Sequence, residues 1–356
     1  MKFNFNKDTS KILDYLIFPV IYFDLEESIE HQDESLIKAI KEDYFDFSEK
    51  MRNKLNPFKD EINQFYQKEI YSNYDFASIL MHAYPVYEYT DIKDYFKDLL
   101  DLNPDKFKEK FIKSLLLMED VDGDTIESLE KESPTDYINN LKIDSANKWN
   151  LFMIIQNPYL YLEKYVSLLN KIESIFNASY EKYEERIIEV GHDLANRLSL
   201  NTNETFTKIT YNSINYDFEA FEACDLYISF VMPYALRFIG LDSCRMVWGL
   251  EMEYSFAKIH EINEDKLTQR VKIFKALGDK TRYETLKLVA KGISSIKTIA
   301  DELGVSSATI SYHMNEFLTT GILYMSKESK QKFDYRVDYD KLEEVFKDLK
   351  EDLNFK

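Results

Sequence analysis

Near its far end the chain carries a glycine on which two helical patterns meet, and no other stretch constrains the fold as tightly. Ahead of Gly304, Ile296, Ile299, Ala300 and Leu303 form one apolar stripe at helical spacing. Glycine tolerates left-handed backbone, so Gly304 ends that helix. Two residues on, Ser306 can cap a new helix in which Ile310, Met314 and Phe317 fall on one side. Two helices joined by so tight a turn have the form of a helix-turn-helix. Upstream, Ile273, Leu277, Leu286 and Val289 mark two further helices broken at Gly278. Downstream, Ile322–Ser326 and Phe333–Val337 read as strands around a polar turn. The pattern predicts a winged helix over 268–340, its second helix near Ser306–Leu318 and its wing near Ile322–Val337.

Two runs in this region carry a family likeness. FKALGDKTR at 274–282 resembles the opening signature of the ArsR-type winged helix-turn-helix regulators, and SSATISYHMNEFLTTGIL at 306–323 resembles their recognition helix and the residues just after it. Residues 268–353 are similar to that family, and the whole chain resembles large variants with an extra N-terminal domain. The resemblance implies transcription control, most often repression, by a homodimer on a partly palindromic operator in double-stranded DNA. It also implies dimer contacts from the flanking helices, here Val271, Phe274 and Leu277 on one side and Leu342, Val345, Phe346 and Leu349 on the other.

The face of the second helix away from its core offers Ser307, Thr309, Ser311, Tyr312 and His313 as base readers, with Ser306 at the leading end. No Arg, Gln or Lys stands in the first turns, so the usual bidentate readers are missing and direct readout is weak. Lys327, Lys330, Lys332 and Arg336 surround the wing turn, where they would meet the sugar-phosphate backbone. The competing reading is a winged helix kept as a DNA-blind scaffold or protein-interaction module.

Charge bears on that choice. The formal net charge is −19, which by itself disfavours nucleic acid. Residues 268–356 nevertheless hold 16 basic and 14 acidic residues, net +2, so the preceding 267 carry −21. Such a chain would repel DNA everywhere but at a directed contact.

The rest of the chain is read as mainly α with small β elements: an α-rich N-terminal domain with a short mixed or antiparallel sheet, then the winged helix. The expected limits are 1–200 for a helical sensor or dimerisation domain, 201–263 for a sheet-bearing segment completing it, and 264–356 for the DNA-binding head. Helical periods run through 35–55, 91–100, 105–118, 146–155, the stretch after Pro158, and 180–198. Residues 205–211 and Ile214–Phe218 alternate about Asn212-Ser213 and suggest a hairpin. Residues 224–233 and 245–252 suggest further strands. The acidic run at 119–133 lacks the ligand series of a calcium loop and is read as a solvated turn.

Several chemistries find no support. Cys224 and Cys244 offer no disulfide framework and are read as two buried thiols, the alternative being a redox or soft-metal role shared by them. Neither a Cys-x-Cys motif nor a pair of neighbouring histidines supplies a metal site, and no cofactor motif is present. With no nucleophile elbow or phosphate-binding loop, an enzyme is not expected and no catalytic residue is assigned. The apolar run at 16–23 is too short to cross a bilayer, so the expectation is a cytoplasmic protein without a membrane partner. The large acidic domain is left to sense a small non-metal molecule or peptide effector, or to set dimer geometry.

Overall fold

The computed structural model describes residues 1–23, 37–67, 74–118, 133–141, 143–239, 243–264, 266–327 and 334–355. It is mainly helical with two small sheets. Contacts divide the chain into two compact units, one of residues 6–23 and 48–185, the other of 1–5, 24–47 and 186–356. Residues 186–200 thus group with the C-terminal part and not with the helical body.

The first unit is helical. After α1 (Lys7–Ile17), the helix Glu42–Leu55 (α2) enters it at Ser48. Next come α3 (Lys59–Tyr66), α4 (Phe76–Ala83), α5 (Ile92–Leu100), α6 (Pro104–Met118), α7 (Pro134–Asn140), α8 (Ser145–Gln156) and α9 (Pro158–Tyr180). Three of these open on a proline, whose missing N–H would have no intrahelical partner there. Ser133 also caps one of these, α7, and Asp75, Asp91 and Asp144 cap α4, α5 and α8, each by accepting from first-turn amides. Apart from Ser133, the acidic run at 119–133 lies outside the described residues.

Along α9, Leu162, Tyr165, Leu168, Leu169, Ile172 and Phe176 supply the buried stripe. Tyr165 packs edge-on against Phe65 and Phe76. Its neighbours Tyr66 and Tyr15 spend their hydroxyls on carbonyls, Tyr66 on Leu16 at 2.5 Å and Tyr15 on Leu169 at 2.6 Å. Burial therefore raises both phenol pKa values. Tyr15, Tyr66 and Tyr165 are thus core residues of this unit, and the first two place their polar tips on backbone carbonyls.

The second unit starts with β1 (Lys2–Phe5) and resumes in α10 (Glu184–Leu200), α11 (Thr202–Thr210) and β2 (Ile214–Tyr216). It continues through β3 (Ala223–Ser229), β4 (Leu236–Ile239), β5 (Cys244–Gly249) and α12 (Met252–Glu264). Strand order is β1-β3-β5-β4, with β1, β3 and β5 parallel and β4 antiparallel. Of the strands expected at 224–233 and 245–252, β3 and β5 form, but they end at Ser229 and Gly249, and Met252 already opens α12. At Gly249 an added Cβ would lie 2.3 Å from the Pro233 carbonyl oxygen, so the loop after β3 can close onto β5 only over glycine.

Two expectations fail in this region. The hairpin does not form, because 205–210 lies in helix α11: Phe206 and Thr210 are its buried positions, a spacing of four that short alternation conceals. Tyr211 and Asn212, both at positive φ, end that helix. Strand β2 then pairs with a partner more than a hundred residues away. The cysteines are also not separate thiols. Cys224 and Cys244 stand opposite one another across β3 and β5, Cα atoms 4.5 Å apart, and form a disulfide. Parallel register, invisible in a spacing of 20 residues, brings them together.

Completing the unit are α13 (Lys266–Leu277), α14 (Lys280–Ala290), α15 (Ile296–Leu303), α16 (Ser307–Thr320), β6 (Leu323–Lys327), β7 (Asp334–Val337) and α17 (Tyr339–Asp352). Ile273, Leu286, Val289, Ile299, Ala300, Ile310, Met314 and Phe317 share one core, with Leu277, Ile296 and Leu303 packed on its edge. A second sheet has the order β2-β6-β7.

Candidate nucleic-acid interface

The turn between α15 and α16 is built as its residues dictate. Gly304 sits at φ 66°, ψ 34°, closing α15. Ser306 Oγ accepts from the Thr309 amide at 3.1 Å and lies 2.8 Å from Thr309 Oγ1. The Ser306 hydroxyl is thus engaged in holding the start of α16, which leaves other first-turn amides facing outward.

Ile310, Met314 and Phe317 point into the core with no exposed surface. Opposite them Ser306 and Ala308 are exposed, and Ser307, Thr309, Ser311 and Tyr312 are partly so. His313 departs from the expected set. It is 7% exposed, and neither ring nitrogen has a hydrogen-bond partner. Burial holds its pKa below the usual histidine range, the Arg282 guanidinium lowers it further, and Asp279 partly opposes both. A buried neutral imidazole cannot reach a base edge from this position.

Beneath α16 lies an ion pair that motif reading missed. Asp279 caps α14 by accepting from the Arg282 amide at 2.9 Å. The Arg282 guanidinium pairs with Glu316 of α16, their side chains 13% and 17% exposed. Glu316 also accepts, through its carbonyl, from the Thr319 and Thr320 hydroxyls at 3.0 Å. The Asp-x-x-Arg spacing at 279–282 is the sequence signal for the cap, but the pairing with a residue 34 positions on has none.

In the wing, β6 and β7 run antiparallel with Leu323 opposite Val337 and Ser326 opposite Asp334. Arg336 is exposed and reaches Asp334 at 3.2 Å. Lys330 and Lys332 lie outside the described residues. Lys327 is only 6% exposed, its Nζ 5.3 Å from the centre of the Tyr216 ring, and burial lowers its pKa. It faces inward and is not placed to touch phosphate, because β2 covers that side of β6 in parallel register, Tyr216 opposite Lys327.

The helices flanking the motif are tied to each other. Arg270 of α13 reaches Asp348 and Asp352 of α17 at 2.9 and 3.0 Å, and the Phe274 and Phe346 rings meet at 6.3 Å. Of the expected dimer residues, Val271 and Phe346 are exposed and Leu349 partly so. Phe274, Leu277 and Leu342 pack against the core, and Val345 is enclosed within it, which removes it from any surface contact. Among the described residues no three His, Cys, Asp or Glu side chains converge as a metal site, and no helix is long and apolar enough to cross a membrane.

Over 84 residues the chain is 40% identical to an uncharacterized HTH-type transcriptional regulator of Methanocaldococcus jannaschii. The match spans 93% of that protein and 23% of this chain. The relative is named as a regulator, which agrees with a non-enzymatic role. No protein-family model matches the chain, and no solved structure matches it.

Proposed function

We propose that this chain, which belongs to the HTH-type transcriptional regulators, is a sequence-specific duplex-DNA-binding repressor acting as a homodimer, its winged head at residues 264–356. One observation carries the reading. The first two turns of α16 present Ala308 openly and Ser307, Thr309, Ser311 and Tyr312 in part to solvent, while Ile310, Met314 and Phe317 share a core with residues of α13, α14 and α15. A helix so anchored can enter a major groove end-first, with free amides toward phosphate and short side chains toward base edges. Two heads would read half-sites about 34–36 Å apart. Val271 and Phe346 supply exposed apolar surface for pairing. With His313 withdrawn, base reading rests on hydroxyls and Tyr312, so operator shape and half-site spacing carry much of the discrimination.

The wing lysines Lys330 and Lys332 anchor the backbone against the repulsion of an acidic body. A small non-metal effector has a candidate seat in the helical unit, in the cleft lined by Lys108, Ile112, Leu116, Tyr137 and Ile155. Footprinting on the DNA upstream of the chain's own gene tests the reading. K330A/K332A should weaken specific and random duplex alike and lower the salt slope by up to about 2. T309A/Y312A should cost operator preference more than random binding. Absence of a protected site, with no enriched sequence from a genome-wide binding selection, would leave the protein-interaction scaffold as the better reading.

A further inference from the structure

The strand Ile214–Tyr216 belongs to two structures at once. It is the third strand of the wing sheet, held to β6 by Met325 N–H donating to the Ser213 carbonyl at 3.3 Å and Asp217 N–H donating to the Lys327 carbonyl at 3.2 Å. It also leads, with six residues between, into β3 of the mixed sheet, which carries Cys224. Tyr216 is where the two meet. Its hydroxyl lies 3.8 Å from Cys244 Sγ, and its ring stacks on Phe238 of β4 at 4.0 Å and 15°. Against that same ring sits the Lys327 ammonium. Sulfur, phenol and ammonium thus form one buried series, with Cys244 3%, Tyr216 5% and Lys327 6% exposed.

We propose that Cys224–Cys244 is a redox-modifiable site for low-molecular-weight thiols and disulfides, and that its state sets the position of the wing through Tyr216 and Lys327. Unbonded sulfurs cannot stay as close as bonded ones, so opening the disulfide pushes the sulfurs apart inside a packed layer. The Tyr216 hydroxyl is the neighbour of Cys244 that leads out of that layer. A displaced ring withdraws its face from the Lys327 ammonium, and a buried cation that loses part of its shelter shifts toward water, taking the end of β6 with it.

The exchange balances without any further reactant. One thiolate of a small dithiol attacks a cysteine sulfur and forms a mixed disulfide, releasing the other cysteine as a thiolate. The second thiol of the reductant resolves that bond, leaving a cyclic disulfide and two cysteine thiols. Oxidation by a small disulfide runs the same steps backward. Because Cys244 lies beneath Tyr216, attack requires β2 to part from its neighbours. By linkage, duplex DNA that favours the seated wing shifts the equilibrium toward the disulfide by the factor with which the disulfide favours DNA.

This inference rests on the DNA-binding reading, and its test separates the two. The full chain is equilibrated with oxidised or reduced dithiothreitol, its state verified by alkylation and intact mass. Binding to random-sequence duplex is read by fluorescence anisotropy, and amide exchange at 213–217 and 323–327 by mass spectrometry. Reduction should weaken duplex binding at least about fivefold, the low end of measured coupling between sites, and speed exchange in both segments. C224S/C244S should sit at the reduced value in either buffer. Two alkylated cysteines in the oxidised sample would overturn the proposal, as would affinities within twofold together with unchanged exchange. If neither state binds duplex, the DNA-binding reading falls and exchange alone decides: faster exchange at 323–327 on reduction sustains the redox coupling, and unchanged exchange refutes it.

Discussion

Replacing Arg282 by methionine removes one partner of the pair that joins α14 to α16 while keeping its volume. Glu316 is then left as a carboxylate 17% exposed, with its cation gone. Breaking a fully buried pair costs about 3–5 kcal/mol, and exposed pairs are worth about 0–1 kcal/mol. With side chains 13% and 17% exposed this pair lies nearer the buried limit, so R282M should cost about 2–4 kcal/mol. R282M/E316L removes both charges from the layer and should recover most of that loss, since apolar replacement of a buried pair is often neutral or stabilising. The chain has two compact units, so a single global melt does not isolate the effect. Native-state hydrogen exchange of α14 and α16 peptides reads it directly. A single and a double variant that lose the same protection would refute the reasoning. So would an R282M loss below about 0.5 kcal/mol, the range of ordinary surface substitutions.

Three further outcomes rest on particular contacts. His313 has a folded pKa below its unfolded value, so the unfolded chain takes up a proton first as pH falls. Its contribution is fully present above the unfolded pKa of about 6.5 and declines from there down to the folded pKa, by at most about 1.4 kcal/mol per pH unit. Exchange protection of α16 should fall more steeply from pH 7 to 5 in wild type than in H313Q, and equal slopes would contradict the burial argument. At the mixed sheet, G249A should lower the exchange protection of β3 and β5 peptides, the overpacking against Pro233 costing about 1–3 kcal/mol; unchanged protection would mean the loop gives way freely. On the outer face of α13 and α17, V271E/F346E should turn a sedimenting dimer into monomer with the circular dichroism spectrum intact, and a dimer that persists would move the interface elsewhere.

The head was legible where a local rule and a packing rule coincide. Gly304, Ser306 and the Ile310–Met314–Phe317 stripe each need only their immediate neighbours to be interpreted, and each stands as its pattern requires. Legibility stopped where a residue's partner is distant in sequence. His313 sits three residues after Ile310 and one before Met314, on the border of the apolar stripe, where helical spacing does not say whether it turns inward. Lys327 reads as one more wing lysine until β2, contributed from residues 214–216, covers that side of β6. The same strand gives the false sign of a hairpin, since its alternation is genuine but its partner is not the preceding segment. Cys224 and Cys244 belong to this class as well, joined only through parallel register. These misreadings have a common physical origin. A winged head is mostly local contacts, but here its sheet takes an edge strand from outside the expected head, and that strand leads directly to the disulfide-bearing sheet. Two of the residues where pattern reading fails, Lys327 and Cys244, meet on either side of Tyr216, the last residue of that strand.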